Sequence, residues 1–184
     1  MDKTLLEMLK RSMDRGVLEP DQIPDIDLYI DQIIALMEKS LGPQEDGQPP
    51  LTRTMIHNYS KAGLITPVKG KKYSREHIME MFAIYSLKNT LSIAQIKRVL
   101  CALDEQEESS MSRGYGAYLE RRELLREKAQ DSLYAIMDDV RADDYENLYT
   151  RILLLADCAQ MMTDYAKQLA DRCYPEPPAK GKKK

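Results

Sequence analysis

The chain has 184 residues, 43% of them hydrophobic, and 27 Lys/Arg against 30 Asp/Glu give a net charge of −3, which suits one small domain with an appendage or two small domains. No apolar run approaches the roughly 20 residues needed to cross a bilayer, and the amino terminus MDKTLLEMLKRSMDRG has no cleavable apolar core, so a cytoplasmic protein without membrane contact is expected. With no Trp and one Phe, the core must be filled by Leu, Ile, Met and Tyr.

Residues 1–24 read as an amino-terminal helix and linker. Thr4 to Met13 gathers Leu5, Leu6, Met8, Leu9 and Met13 toward one side, and Gly16, Pro20 and Pro24 punctuate the linker. Acids and bases mix on the helix's polar face, so it is read as a strap on the domain or on a partner subunit rather than a membrane-surface helix.

Residues 25–104 carry the clearest local signals. Asp25 or Asp27 is expected to cap a helix from Ile26 to Leu41, with Ile30, Ile33, Ile34, Met37 and Leu41 inward and Gly42 past its end. An acidic, Pro-rich loop over 43–50 leads to Thr52, which caps a helix from Arg53 to Ala62 that Gly63 ends. Leu64 to Val68 is extended, and the turn Lys69-Gly70-Lys71-Lys72 into Tyr73 predicts a tight β-hairpin tipped with charge. Ser74 caps the next helix, which bears Ile78, Met81, Phe82 and Tyr85. Ser92 and Gln95 form a capping box that opens another, with Ile96, Val99, Leu100 and Leu103. Helix, helix, charged hairpin, helix, helix is the plan of a winged helix-turn-helix, so the expected fold is mainly α with a small β-hairpin wing.

Residues 105–174 read as a helical dimerisation or interaction region. Glu105 to Ser110 is acidic and marks the boundary, and from Ala117 to Tyr174 there is neither Gly nor Pro. The spacing predicts a helix to about Val140, with Leu125, Ala129, Leu133, Ile136 and Val140 on one stripe. A turn is expected at Arg141 to Asp144, its aspartates placed to start a second helix. There Leu148, Ile152, Leu155, Ala159, Met162, Ala166, Leu169 and Cys173 succeed one another at alternating steps of four and three, an unbroken heptad seam. The seam wants a facing helix, either the preceding one in an antiparallel hairpin or its copy in a second subunit, and a homodimer is expected because apolar stripes would otherwise stay wet. Residues 175–184 form a basic tail that is disordered by composition.

The run Asn58-Tyr59-Ser60-Lys61-Ala62-Gly63-Leu64-Ile65-x-Pro67, then Lys71-Lys72-Tyr73-Ser74, then Leu91-Ser92-Ile93-x-x-Ile96-Lys97 is similar to the amino-terminal DNA-binding domain of the MerR family of bacterial transcription regulators. It is closer still to a bacterial family of MerR-like proteins known only as a domain of unknown function. The resemblance covers about Ile26 to Leu103. It implies that the Arg53 helix is the recognition helix, with Lys69 near the family's wing arginine and Tyr73 at the tyrosine that closes the wing. His57-Asn58-Tyr59 stands where the family has Arg-Tyr-Tyr, and the wing is several residues shorter.

Charge points to function. Between Leu51 and Leu100 nine Lys/Arg stand against two Glu, a net of +7 in a chain that is −3 overall, and such a segment steers a polyanion toward one face. With the Arg53 helix in the major groove, Arg53, Thr54, His57 and Asn58 reach base edges or flanking phosphates. Tyr59 either bonds a phosphate or belongs to the core. Lys61, Lys69, Lys71, Lys72 and Arg75 neutralise phosphates, the plainer alternative being a solvated basic face. Met55, Ile56, Leu64 and Ile65 are assigned to the core. Cys101, Cys158 and Cys173 are too scattered for a disulfide framework or zinc knuckle, and read as buried thiols with a thiol sensor as the alternative. His77 and Glu80, one turn apart, are a surface pair rather than a metal site, and neither a phosphate loop, a nucleophile elbow nor HExxH occurs. No cofactor, metal or enzymatic activity is expected. The reading is a DNA-binding transcriptional regulator acting as a homodimer on double-stranded DNA, with an effector left open because no ligand signature is present. The alternative is a protein-interaction module on a winged-helix scaffold that has lost base reading.

Overall fold

A computed structural model of the protein describes residues 3–13, 16–42, 49–68, 70–104, 110–138, 140–141 and 143–176. Along them run α1 (Lys3–Met13), a 3-10 turn (Pro20–Gln22), β1 (Leu28–Tyr29), α2 (Ile30–Leu41), α3 (Arg53–Ala62), β2 (Lys72–Tyr73), α4 (Arg75–Leu87), α5 (Ile93–Asp104), α6 (Ser110–Ile136) and α7 (Tyr145–Cys173). The chain is mainly helical, with one small antiparallel sheet among the described residues.

Packing centres on α4. Ile78, Met79, Met81, Phe82 and Ile84 are all buried, which leaves the helix apolar on nearly every side and requires neighbours all round it. Ile33 and Met37 of α2, Ile56 of α3, Leu64 and Ile65 after α3, and Ile96 and Leu100 of α5 complete the same core. Burying side chains of this size contributes about 1.5–3 kcal/mol apiece relative to exposure.

The core reaches past residues 25–104 at both ends. Leu18 and Ile23 enter it from the amino-terminal linker and Tyr115 from α6. The Tyr115 hydroxyl donates to the Leu18 carbonyl, and its ring meets Phe82 edge-on with centroids 5.2 Å apart. Burial pushes the Tyr115 phenol well above its ordinary range, with Tyr118 and Glu19 acting in the same direction. The linker lies backbone against backbone on the end of α2: a Cβ at Gly16 would stand 2.2 Å from the Ser40 carbonyl oxygen.

Several expectations are corrected. The helix expected from Ile26 begins at Ile30, because Leu28 and Tyr29 are drawn into a strand whose partners are Tyr73 and Lys72. Neither Asp25 nor Asp27 caps it; the Tyr29 amide donates to Gln32 Oε1 at 2.9 Å. The hairpin expected between Leu64–Val68 and Tyr73 is replaced by this pairing, and residues 64–68 form no strand. Gly114 and Gly116 lie inside α6, which starts at Ser110 and stops at Ile136 rather than near Val140. Cys101 and Cys173 are exposed and Cys158 half-buried, so none is a core thiol. Residues 43–48 of the Pro-rich loop read over 43–50, residues 105–109 of the acidic stretch from Glu105 to Ser110, and the lysines of the tail lie outside the described residues.

Tyr115→Phe keeps the ring contact but strands the buried Leu18 carbonyl, and is expected to cost about 1–3 kcal/mol of stability, read as a lower urea midpoint with an unchanged slope.

Candidate nucleic-acid interface

α3 is bounded by its own sequence. Thr52 Oγ1 accepts from the Met55 amide at 3.2 Å, satisfying a donor that the first turn leaves open. Gly63 ends the helix at φ +69°, a left-handed conformation that favours glycine. At 3.6 residues per turn, Arg53, Thr54, His57, Asn58 and Lys61 share an arc of about 140°, and all five are exposed. The opposite side holds buried Ile56, with Met55 and Tyr59 packed against the core. Burial of the Tyr59 ring raises its phenol pKa. Lys97 Nζ donates to the Ala62 carbonyl at 2.9 Å, placing a cation where the helix dipole is negative.

Two contacts bring the start of α3 and the charged turn to one neighbourhood. Arg53 pairs with Asp31, a residue in the first turn of α2. Lys72 Nζ stands 5.1 Å from the centroid of the Tyr29 ring, a cation–π arrangement. Tyr29 and Asp31 are two residues apart, so the Arg53 guanidinium and the Lys72 ammonium flank the same short segment. Lys71 is exposed in the same turn. Lys69 lies outside the described residues. Sequence reading missed Tyr29 and Asp31 altogether, since each meets its partner across a long chain separation that no periodicity encodes.

Other residues of the expected interface have work inside the fold. Arg75 Nη1 donates to the Ile23 carbonyl at 2.7 Å and to Asp25 Oδ1 at 3.0 Å, and Nη2 to the Pro20 carbonyl at 2.7 Å. It ties the linker to the start of α4. Tyr73 is buried in β2 and meets the His77 ring edge-on, centroids 5.8 Å apart. The expected His77–Glu80 surface pair is not what these two residues make. Glu80 is buried and accepts from the Thr66 amide at 3.1 Å, whereas His77 Nδ1 accepts from the Ser74 amide at 3.0 Å, a capping box with histidine in the third position.

Between α3, residues 63–68 and α5 is a half-open cavity of about 540 Å³, bordered by His57, Ser60, Thr66, Glu80, Leu100 and Cys101. Its volume lies in the range of small-molecule sites. The expected seam of α7 is only partly covered: Leu148, Leu155 and Ala166 are half-buried, while Ile152, Ala159, Met162, Leu169 and Cys173 are exposed. No helix among the described residues is long and apolar enough to cross a membrane.

This chain belongs to the family described as a domain of unknown function, DUF1836, whose family model matches residues 18–118. The match begins at the residue whose carbonyl Tyr115 holds and ends just past Tyr115 itself. Comparison with curated proteins and with solved structures finds no match.

His77 Nε2 is buried. Burial draws the His77 pKa below its ordinary value, against the opposing pull of the Thr66 backbone and the carboxylates of Glu76 and Asp27. A lowered folded pKa means that the unfolded chain takes up the proton first, so this contribution is present above the ordinary histidine pKa and is lost as pH falls through the folded one. Stability should therefore drop between about pH 7 and pH 5, and His77→Gln, which keeps an acceptor for the Ser74 amide, should flatten that drop in urea midpoints measured across the range.

Proposed function

We propose that this protein is a DNA-binding transcriptional regulator of the MerR-like, winged helix-turn-helix kind, acting as a homodimer on double-stranded DNA. The observation that supports it most is the α3 arc: Arg53, Thr54, His57, Asn58 and Lys61 exposed on one side of a helix whose other side is locked in the core. In this reading α3 enters the major groove, with Arg53 and Asn58 suited to guanine and adenine edges. Lys71, Lys72 and the neighbouring Lys69 track phosphates, a positioning role that carries no sequence information. Arg75 and Tyr73 support the scaffold. The exposed stretch of the α7 seam brings two heads together, and two-fold-related heads read a pseudo-palindromic site.

A protein-interaction module is the second reading, favoured by the apolar surface of α7 and by Asp31 occupying Arg53. Gel shifts with random-sequence DNA and then with genomic fragments separate the two. Salt-sensitive binding with a preferred fragment supports the regulator, and no binding at low salt supports the module.

Engagement of five or six phosphates per head gives a salt slope of magnitude about 5 for one head and roughly double for a dimer. Lys71→Ala with Lys72→Ala should weaken all DNA sequences alike and reduce that slope by about 2; an unaltered slope removes the turn from the interface. Asp31→Asn frees the Arg53 guanidinium and takes an anion off the approaching face, so affinity for random-sequence DNA should rise about threefold to tenfold at low salt. Unchanged affinity would show that Arg53 is not a contact.

A further inference from the structure

α7 carries two apolar rows. Beside the seam, Leu154, Cys158, Met161 and Tyr165 recur at steps of four, three and four, each one residue before a seam position, so about 100° of rotation separates the rows. In the second row Leu154, Met161 and Tyr165 are exposed, as Ile152 and Met162 are on the first. One row of a and d positions meets one neighbouring helix; a second row requires another. Within the chain, α5 grips the carboxy-terminal end of α7, where Gln95 and Arg98 bond Asp171 and Ala170 enters the core. α6 contacts α7 and both rows are covered only in part: Leu148, Leu155 and Cys158 are half-buried, while Ile152, Leu154, Met161, Met162 and Tyr165 stay exposed.

We infer that a second copy of this chain covers both rows, two α6–α7 hairpins forming a four-helix bundle in which one row of α7 meets the partner's α7 and the other the partner's α6. This rests on the dimer reading above and goes past it, since a two-stranded coiled coil would use the seam alone. The amount of surface argues for a second copy. Twelve large apolar side chains of α6 and α7 are each at least 43% exposed. At on the order of 100 Å² apiece, covering two thirds of that surface in each protomer removes about 1,600 Å² from water, the size of a standard specific interface. The polar positions of α7 mix Arg151 and Lys167 with Asp157 and Asp164, a mixture suited to a matching helical surface and not to an anionic membrane.

Sedimentation or light scattering of the full chain at micromolar concentration tests this. The wild type should be a dimer. Ile152→Glu with Met162→Glu on the seam, and Met161→Glu with Tyr165→Glu on the second row, should each weaken dimerisation about a hundredfold. Helix content by circular dichroism should hold, because none of the four side chains is in the core. Should the Glu pair on the second row unfold the chain, Met161→Gln with Tyr165→Gln supplies the same test with about a tenfold effect expected. A second-row variant as dimeric as the wild type, beside a monomeric seam variant, overturns the four-helix arrangement and leaves the dimer standing. A wild type that is monomeric throughout overturns both and leaves the rows to a different protein.

Discussion

The hydrogen bond from the Tyr115 hydroxyl to the Leu18 carbonyl joins residues 97 apart inside an apolar core. Each group would cost stability if buried alone, so together they define one position for both segments. Much of the architecture depends on that position. Leu18 in place carries Ile23 into the core, and the segment from Pro20 to Asp25 then lies where Arg75 can hold it with three hydrogen bonds. The chain leaves that tether directly into β1, which pairs with β2 and sets Tyr29 against Lys72 and Asp31 against Arg53. The surroundings of Arg53 and Lys72 therefore depend on a contact that neither residue makes.

What could be read in the sequence is what local chemistry decides. Thr52 and Gly63 delimit α3 as expected, because an acceptor for an open amide and a residue tolerant of positive φ are properties of single positions. The Ser92–Gln95 capping box is present in both directions, at 2.9 Å and 3.2 Å, and Asp144 starts α7 by accepting from the Asn147 amide at 3.0 Å. The illegible part is non-local. A two-residue strand has no period, so the β1–β2 pairing leaves no trace in either segment. Asp25 looks like a cap until Arg75, fifty residues on, takes its carboxylate. The cysteines of the helical region look internal by analogy with their apolar neighbours, yet Cys173 is exposed and Cys158 only half-buried.

Counting charge along the sequence also differs from counting it on a surface. Of the nine cations between Leu51 and Leu100, Arg75 holds the linker, Lys97 caps α3, and Arg98 pairs with Asp171 and with Glu176, the latter at 3.6 Å. Asp31, from outside the segment, pairs with Arg53 at the start of α3. The face is thus less positive than its sequence, and mixed in sign where α2 meets α3. Exposed pairs of this kind contribute little to folding, which leaves them free to be exchanged for a better partner.

Gly16 shows how finely the linker is fitted. With 2.2 Å between a would-be methyl and the Ser40 carbonyl oxygen, and 2.9 Å to the Leu41 Cα, the obstacle is main chain on both counts and no rotamer change relieves it. The position therefore admits no graded series of replacements: even alanine, the mildest, would have to lift the linker off the helix end, and the mutational landscape there is a cliff with glycine alone on top.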